Sequence, residues 1–183
     1  MNVPVQDRYD RIAVMLHWVL AAALLAQISF GWLLGEFERN TPARASAINW
    51  HKSSGLILAL LVLLRLLWRQ RHKPPAYPAG MDRRALRAAR AGHLLLYVCM
   101  VGLPLSGYLA SNFSRHGINF LNQLRLPPWG PDDKVTYALL NGTHDVLAYV
   151  FSALVAGHIL IALYHARIAR DGLFSRMTFG SRP

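Results

Sequence analysis

The sequence predicts an all-α, integral membrane four-helix bundle, and three observations carry that prediction. Of 183 residues 54% are hydrophobic and the mean hydropathy is positive, which is too apolar for a soluble domain of this size. Four runs, 12–34, 48–68, 92–110 and 137–165, are long enough to cross a hydrocarbon core of about 30 Å as helices. The basic residues gather at the ends of these runs rather than on an aromatic-studded face, so the formal charge of +11 is a topology signal and not a nucleic-acid footprint.

The charges also orient the chain. Thirteen Lys and Arg fall on the N-terminus (Arg8, Arg11), the second loop (Arg69, Arg71, Lys73, Arg83, Arg84, Arg87, Arg90) and the C-terminus (Arg167, Arg170, Arg176, Arg182). Six, namely Arg39, Arg44, Lys52, Arg115, Arg125 and Lys134, fall on the opposite side, and Arg65 lies within a span. By the positive-inside rule both termini and the second loop are cytoplasmic.

The first run follows a short polar segment, 1–11, and exceeds the apolar core of a signal peptide, so it stays in the mature protein. His17 and Trp18 stand near its start, Trp32 closes it, and a polar loop with Pro42 turns the chain back. Trp50 and His51 open the second run. In His51-Lys52-Ser53-Ser54-Gly55, a Gly lies one turn below a His, where a missing side chain lets a flat ligand or a neighbouring helix approach. Arg65 follows His51 by fourteen residues on the same face, placed to reach a buried anion or to snorkel to the interface. Residues 72–90 are Pro-rich, then basic, with Leu86 to Arg90 already helical. They hold no independent domain, so 1–183 reads as a single domain.

The third run begins at Gly92-His93, is expected to kink at Pro104, and carries Gly107 fourteen residues after His93. Its Cys99 is the single cysteine, which excludes an intramolecular disulfide and reads as a packed thiol. Residues 111–140 form the sizeable outer segment. An amphipathic piece, Ile118 to Leu126, and the turn Pro127-Pro128-Trp129-Gly130-Pro131 are expected to lie on the surface as a lid, with Trp129 at the headgroups.

The fourth run holds His144 and His158, again fourteen residues apart. That is close to four turns, so the rings lie about 40° apart around the axis and about 21 Å apart along it. Ionisable residues inside a span are functional candidates, and no phosphate loop, CxxC, HExxH or GxSxG competes with the histidines. Sorted by depth, His51 faces His144 on the outer side, while on the inner side His158 has two possible partners, His17 and His93. His165, His72 and His116 read as interfacial. Gly55, Gly107 and Gly157 suit helix packing as well as they suit ligand clearance. Facing imidazoles across a four-helix interior suit a haem iron, whereas zinc wants four clustered ligands with Cys or carboxylate.

Leu16-His17-Trp18, His51-Lys52-Ser53-Ser54-Gly55, Arg65-Leu66-Leu67-Trp68-Arg69, Gly92-His93-Leu94, Thr143-His144-Asp145 and Gly157-His158 together resemble the small bacterial four-helix cytochrome b561 family over nearly the whole chain. The resemblance implies two haem b groups in the bundle core, His17 and His158 on the inner iron and His51 and His144 on the outer one. It implies a multi-pass protein of the bacterial inner membrane that exchanges electrons with ubiquinone, and superoxide oxidation to oxygen as the coupled reaction. His93 and Arg90 are then the expected quinone neighbours, Arg65 and Gly55 expected haem contacts. The six outer cations exceed the outer carboxylates and could steer a small anion. Two other readings stand beside this one: an electron-transfer anchor between quinone and a separate dehydrogenase, and a haem-free, His-lined metal or proton transporter.

Overall fold

A computed structural model describes residues 8–77 and 80–179, so residues 1–7 and Arg182 of the sequence-derived topology lie outside the described residues. Four helices account for most of the rest: α1 (Arg11–Leu33), α2 (Pro42–Arg71), α3 (Arg83–Asn112) and α4 (Lys134–Tyr164). Each starts at a side chain that accepts backbone N–H groups of the first turn: Asp10 for α1, Thr41 for α2, Asp82 for α3 and Asp133 for α4. Such caps satisfy donors that a helix start leaves orphaned. Pro42 adds a preset φ at the first position of α2.

All four helices are long and apolar enough to cross a membrane. Leu60, Leu94, Val146 and Leu160 point outward at more than 60% exposure, the reverse of a soluble bundle, because lipid is the solvent on that face. α2 and α3 extend beyond the expected spans, with Arg83 to Arg90 forming two basic turns ahead of the apolar run. α3 passes through Pro104 without a break. Cys99 is buried and free. A small core of Leu20, Leu58 and Val62, backed by Leu24, Leu66 and Met100, ties α1, α2 and α3 together.

One end of the bundle carries the start of α1, the α2–α3 loop and the segment that follows α4. Trp18 Nε1 donates to Met177 O at 2.7 Å, Trp68 Nε1 to the Asp10 carboxylate at 3.1 Å, and Arg176 to Ala76 O at 2.6 Å. α4 ends there in a π turn over His165–Ala169, closed by Arg170 in the left-handed region, and His165 Nδ1 meets Asp171 at 2.6 Å.

The opposite end is capped differently from expectation. The amphipathic piece at 118–126 is an antiparallel hairpin, β1 (Ile118–Phe120) with β2 (Leu124–Leu126), seated on the start of α2. Leu121 and Asn122 take φ of 53° and 58°, which reverses the chain within three residues. Long-range bonds hold it: Leu121 N–H donates to the buried Ser53 Oγ at 2.8 Å, Asn122 to Ser46 Oγ at 2.7 Å, and Lys52 Nζ to Gly117 O at 3.0 Å.

Two outcomes follow for stability. A Cβ on Gly117, at φ +59°, would lie 2.5 Å from Leu126 O. Gly117→Ala will therefore cost about 1–3 kcal/mol or more and lower the melting temperature of the detergent-solubilised protein. At the start of α4 the Thr136 hydroxyl, then the N–H groups of Thr136 and Val135, hold the Asp133 carboxyl below its ordinary pKa. A depressed folded value means the cap's stabilisation is complete above the unfolded pKa and is lost as pH falls through the folded one. Asp133→Asn, which still caps, will flatten that acid limb of the melting curve.

Candidate functional site

Each helix carries a pair of chemically distinctive residues fourteen apart, and the bundle aligns them at two levels. Toward the hairpin end stand Gly31, His51, Gly107 and His144. Toward the terminal end stand His17, Arg65, His93 and His158. Because α1 and α3 run opposite to α2 and α4, the earlier member of a pair lies at alternating ends.

At the hairpin-end level the His51 and His144 rings face each other with centroids 6.3 Å apart and planes at 85°. A metal bonded to one nitrogen of each ring at about 2 Å would put the ring centres about 6 Å apart. His144 Nδ1 lies 2.9 Å from Leu103 O. A carbonyl only accepts, so Nδ1 carries the proton and Nε2 keeps a free lone pair, the tautomer of a metal-binding imidazole. The rings need the two glycines: a Cβ on Gly31 would come within 3.1 Å of His51 Cε1, and one on Gly107 within 3.1 Å of the His144 ring.

Gln27 positions His51 from α1. Its amide nitrogen donates to His51 O at 2.9 Å and lies 3.2 Å from His51 Nδ1, while its oxygen receives the Ser54 hydroxyl at 2.7 Å. Gly55 sits beside this amide, its Cβ position 3.4 Å from Gln27 Nε2. Gln27, Gly31, His51, Gly55, Gly107 and His144 border a cavity of about 1670 Å³ lined by every one of the four helices.

The six cations singled out on this side all line that cavity. Three of them are engaged. Arg44 Nη1 donates to Leu34 O at 2.6 Å and Phe37 O at 2.9 Å, closing the end of α1, Lys52 holds the hairpin, and Arg115 pairs with Asp132 at 3.5 Å. Arg39, Arg125 and Lys134 complete the basic lining.

At the terminal-end level His17 and His158 repeat the first spacing, with centroids 6.3 Å apart and planes at 71°. His93 approaches the same His158 at 5.8 Å. Arg65 Nη2 lies 3.2 Å from His17 Nδ1, and Arg65 Nη1 is buried with no hydrogen-bond partner. A buried guanidinium with an idle donor fits a carboxylate-bearing cofactor at this level. The charges of Arg69 and Arg65 reach His93, with Arg69 resting over the Tyr97 ring at 5.5 Å, whereas Arg90 is turned onto the Tyr77 ring at 5.7 Å. Among the described residues no three or more His, Cys, Asp or Glu side chains gather as a metal cluster. His72 is exposed and stacks on Trp68, and His116 is exposed.

Sequence reasoning missed Gly31 and Gln27. Gly31 follows His17 by the same fourteen residues that relate the other three pairs, and that spacing was the available signal. Gln27 showed only as a lone amide in an apolar run.

The family model for prokaryotic cytochrome b561 matches residues 8–180. Cytochrome b561 homolog 2 of Escherichia coli (strain K12) is 28% identical over 176 residues, 96% of this chain and 93% of that protein. Cytochrome b561 homolog 1 of the same organism is 24% identical over 171 residues, 93% of this chain and 97% of that protein.

Gly31→Ala and Gly107→Ala each push one ring of the same pair. Both will perturb the b-haem signal in EPR spectra of the oxidised protein, whereas Gly157→Ala, with nothing within 4 Å of its Cβ position, will leave it unchanged.

Proposed function

Because the chain belongs to the prokaryotic cytochrome b561 family, multi-pass bacterial membrane electron-transfer proteins that bind b-type haem, we propose that it holds two haems, one per level. His51 and His144 hold the hairpin-end iron, and His17 and His158 the terminal-end iron. The observation that carries this is the identical 6.3 Å ring spacing of the two pairs. His93 then stays free of iron and, within reach of the Arg69 and Arg65 charges, supplies a hydrogen bond to a quinone carbonyl. Arg65 offers its idle Nη1 to a haem carboxylate, and Gly55 leaves room for Gln27 to hold His51. Bound haem supplies one-electron transfer, and the two levels relay electrons across the bilayer.

The terminal end, with the larger share of Lys and Arg, faces the cytoplasm of the bacterial inner membrane. The hairpin end faces outward, where Arg39, Arg125 and Lys134 draw superoxide toward the outer pair. Superoxide gives one electron and leaves as oxygen, and two such electrons, with two protons taken up from solution, reduce ubiquinone to ubiquinol.

Reduced-minus-oxidised spectra and pyridine haemochrome analysis test the cofactor. Wild type should show two haems per chain. His51→Ala and His144→Ala should each remove the same one, His17→Ala and His158→Ala the other, and His93→Ala neither. Loss of different haems within a pair would overturn the ligand assignment. Stopped-flow mixing with superoxide should reduce the haems at a rate that falls steeply with ionic strength, as expected for steering by exposed charges. An intact spectrum without such reduction would leave an electron-transfer cytochrome that lacks this activity.

A further inference from the structure

The two levels differ in one fixed charge. On α2 the hairpin-end level is occupied by His51 and the terminal-end level by Arg65. A guanidinium stays protonated at any physiological pH, so this is a permanent positive charge inside the bundle. It touches His17 through Nη2, and His17, His158 and His93 all feel its charge. The ion pairs among the described residues are Arg115–Asp132 and His165–Asp171, so no protein carboxylate neutralises it. The counterpart at the other level is Lys52, whose charge also reaches His51, but its ammonium is held by Gly117 O at 3.0 Å, whereas Arg65 Nη1 is buried with no partner.

We propose that Arg65 is a positioning residue for electron flow: its buried charge raises the reduction potential of the terminal-end haem above that of the hairpin-end haem, so that electrons run downhill from the hairpin end to the terminal end. Adding an electron beside a fixed cation is favourable, and in a low-dielectric interior the effect is large. The sign is the same if Nη1 takes a haem carboxylate, because removing the arginine would then leave that negative charge uncompensated. Arg65 also has to leave His17 on loading. A guanidinium only donates, so His17 Nδ1 accepts in the structure, whereas an Nε2-ligated neutral imidazole carries its proton on Nδ1.

The inference rests on the two-haem reading, and redox titration of the purified holoprotein, followed by the α band, separates the two. Wild type should resolve into two one-electron components, with the higher one surviving in His144→Ala protein. Arg65→Gln should lower that higher component at least tenfold in its reduced-to-oxidised ratio, about 59 mV for one electron, and leave the lower one in place. Arg65→Lys, which keeps the charge, should retain most of the potential and carries the test alone if Arg65→Gln does not load haem. Lys52→Gln should leave the higher component unmoved. Equal movement of both components, movement of neither, or a tenfold loss in Arg65→Lys would overturn the role of Arg65 while leaving the two-haem reading intact. A wild type with fewer than two haems would sink that reading and the inference with it.

Discussion

The structure depends on a geometric constraint: fourteen residues make nearly four helical turns, so a side chain and its fourteenth neighbour share a face at two depths. Repeated on four antiparallel helices, that spacing builds two layers of four residues each inside one bundle. Gly31, His51, Gly107 and His144 form one layer, and His17, Arg65, His93 and His158 the other. Every helix contributes to both. Rotating any one of them would break a contact at each level, so the register of the bundle and the spacing of its two sites are the same quantity.

The layers share the 6.3 Å ring distance and differ in what surrounds it. At the hairpin end, glycines make room: backbone without Cβ lets two rings come close to α1 and α3, and a 1670 Å³ cavity is lined by basic residues. At the terminal end those same positions hold His17 and His93, and the space is crossed by a guanidinium.

The ends of the bundle are secured by different means because they meet different solvents. Caps at Asp10, Thr41, Asp82 and Asp133 start each helix outside the apolar region, where exposed N–H groups would otherwise stay unsatisfied. The hairpin is held to α2 by buried Ser53 and by Asn49, whose side chain accepts the Asn119 N–H at 3.3 Å. These bonds fix the residues next to His51. Of the six cations on this side, Arg44 closes the end of α1, Lys52 holds the hairpin and Arg115 pairs with Asp132, while Arg39, Arg125 and Lys134 complete the basic lining of the cavity.

The sequence by itself determined the four spans, because a helix in lipid must be apolar over its whole length and that needs no partner to be seen. It also determined the depth of each histidine, since depth within a helix is a matter of counting. What it left open was rotation and proximity. Whether Arg44 points to a ligand or to the end of α1, and whether 118–126 lies as a surface segment or folds as a hairpin, depend on contacts between residues far apart in the chain. Such contacts carry no periodic signature. The tertiary structure decided them through the packing of four helices around two layers, in which a ring has one open direction and a missing Cβ supplies it.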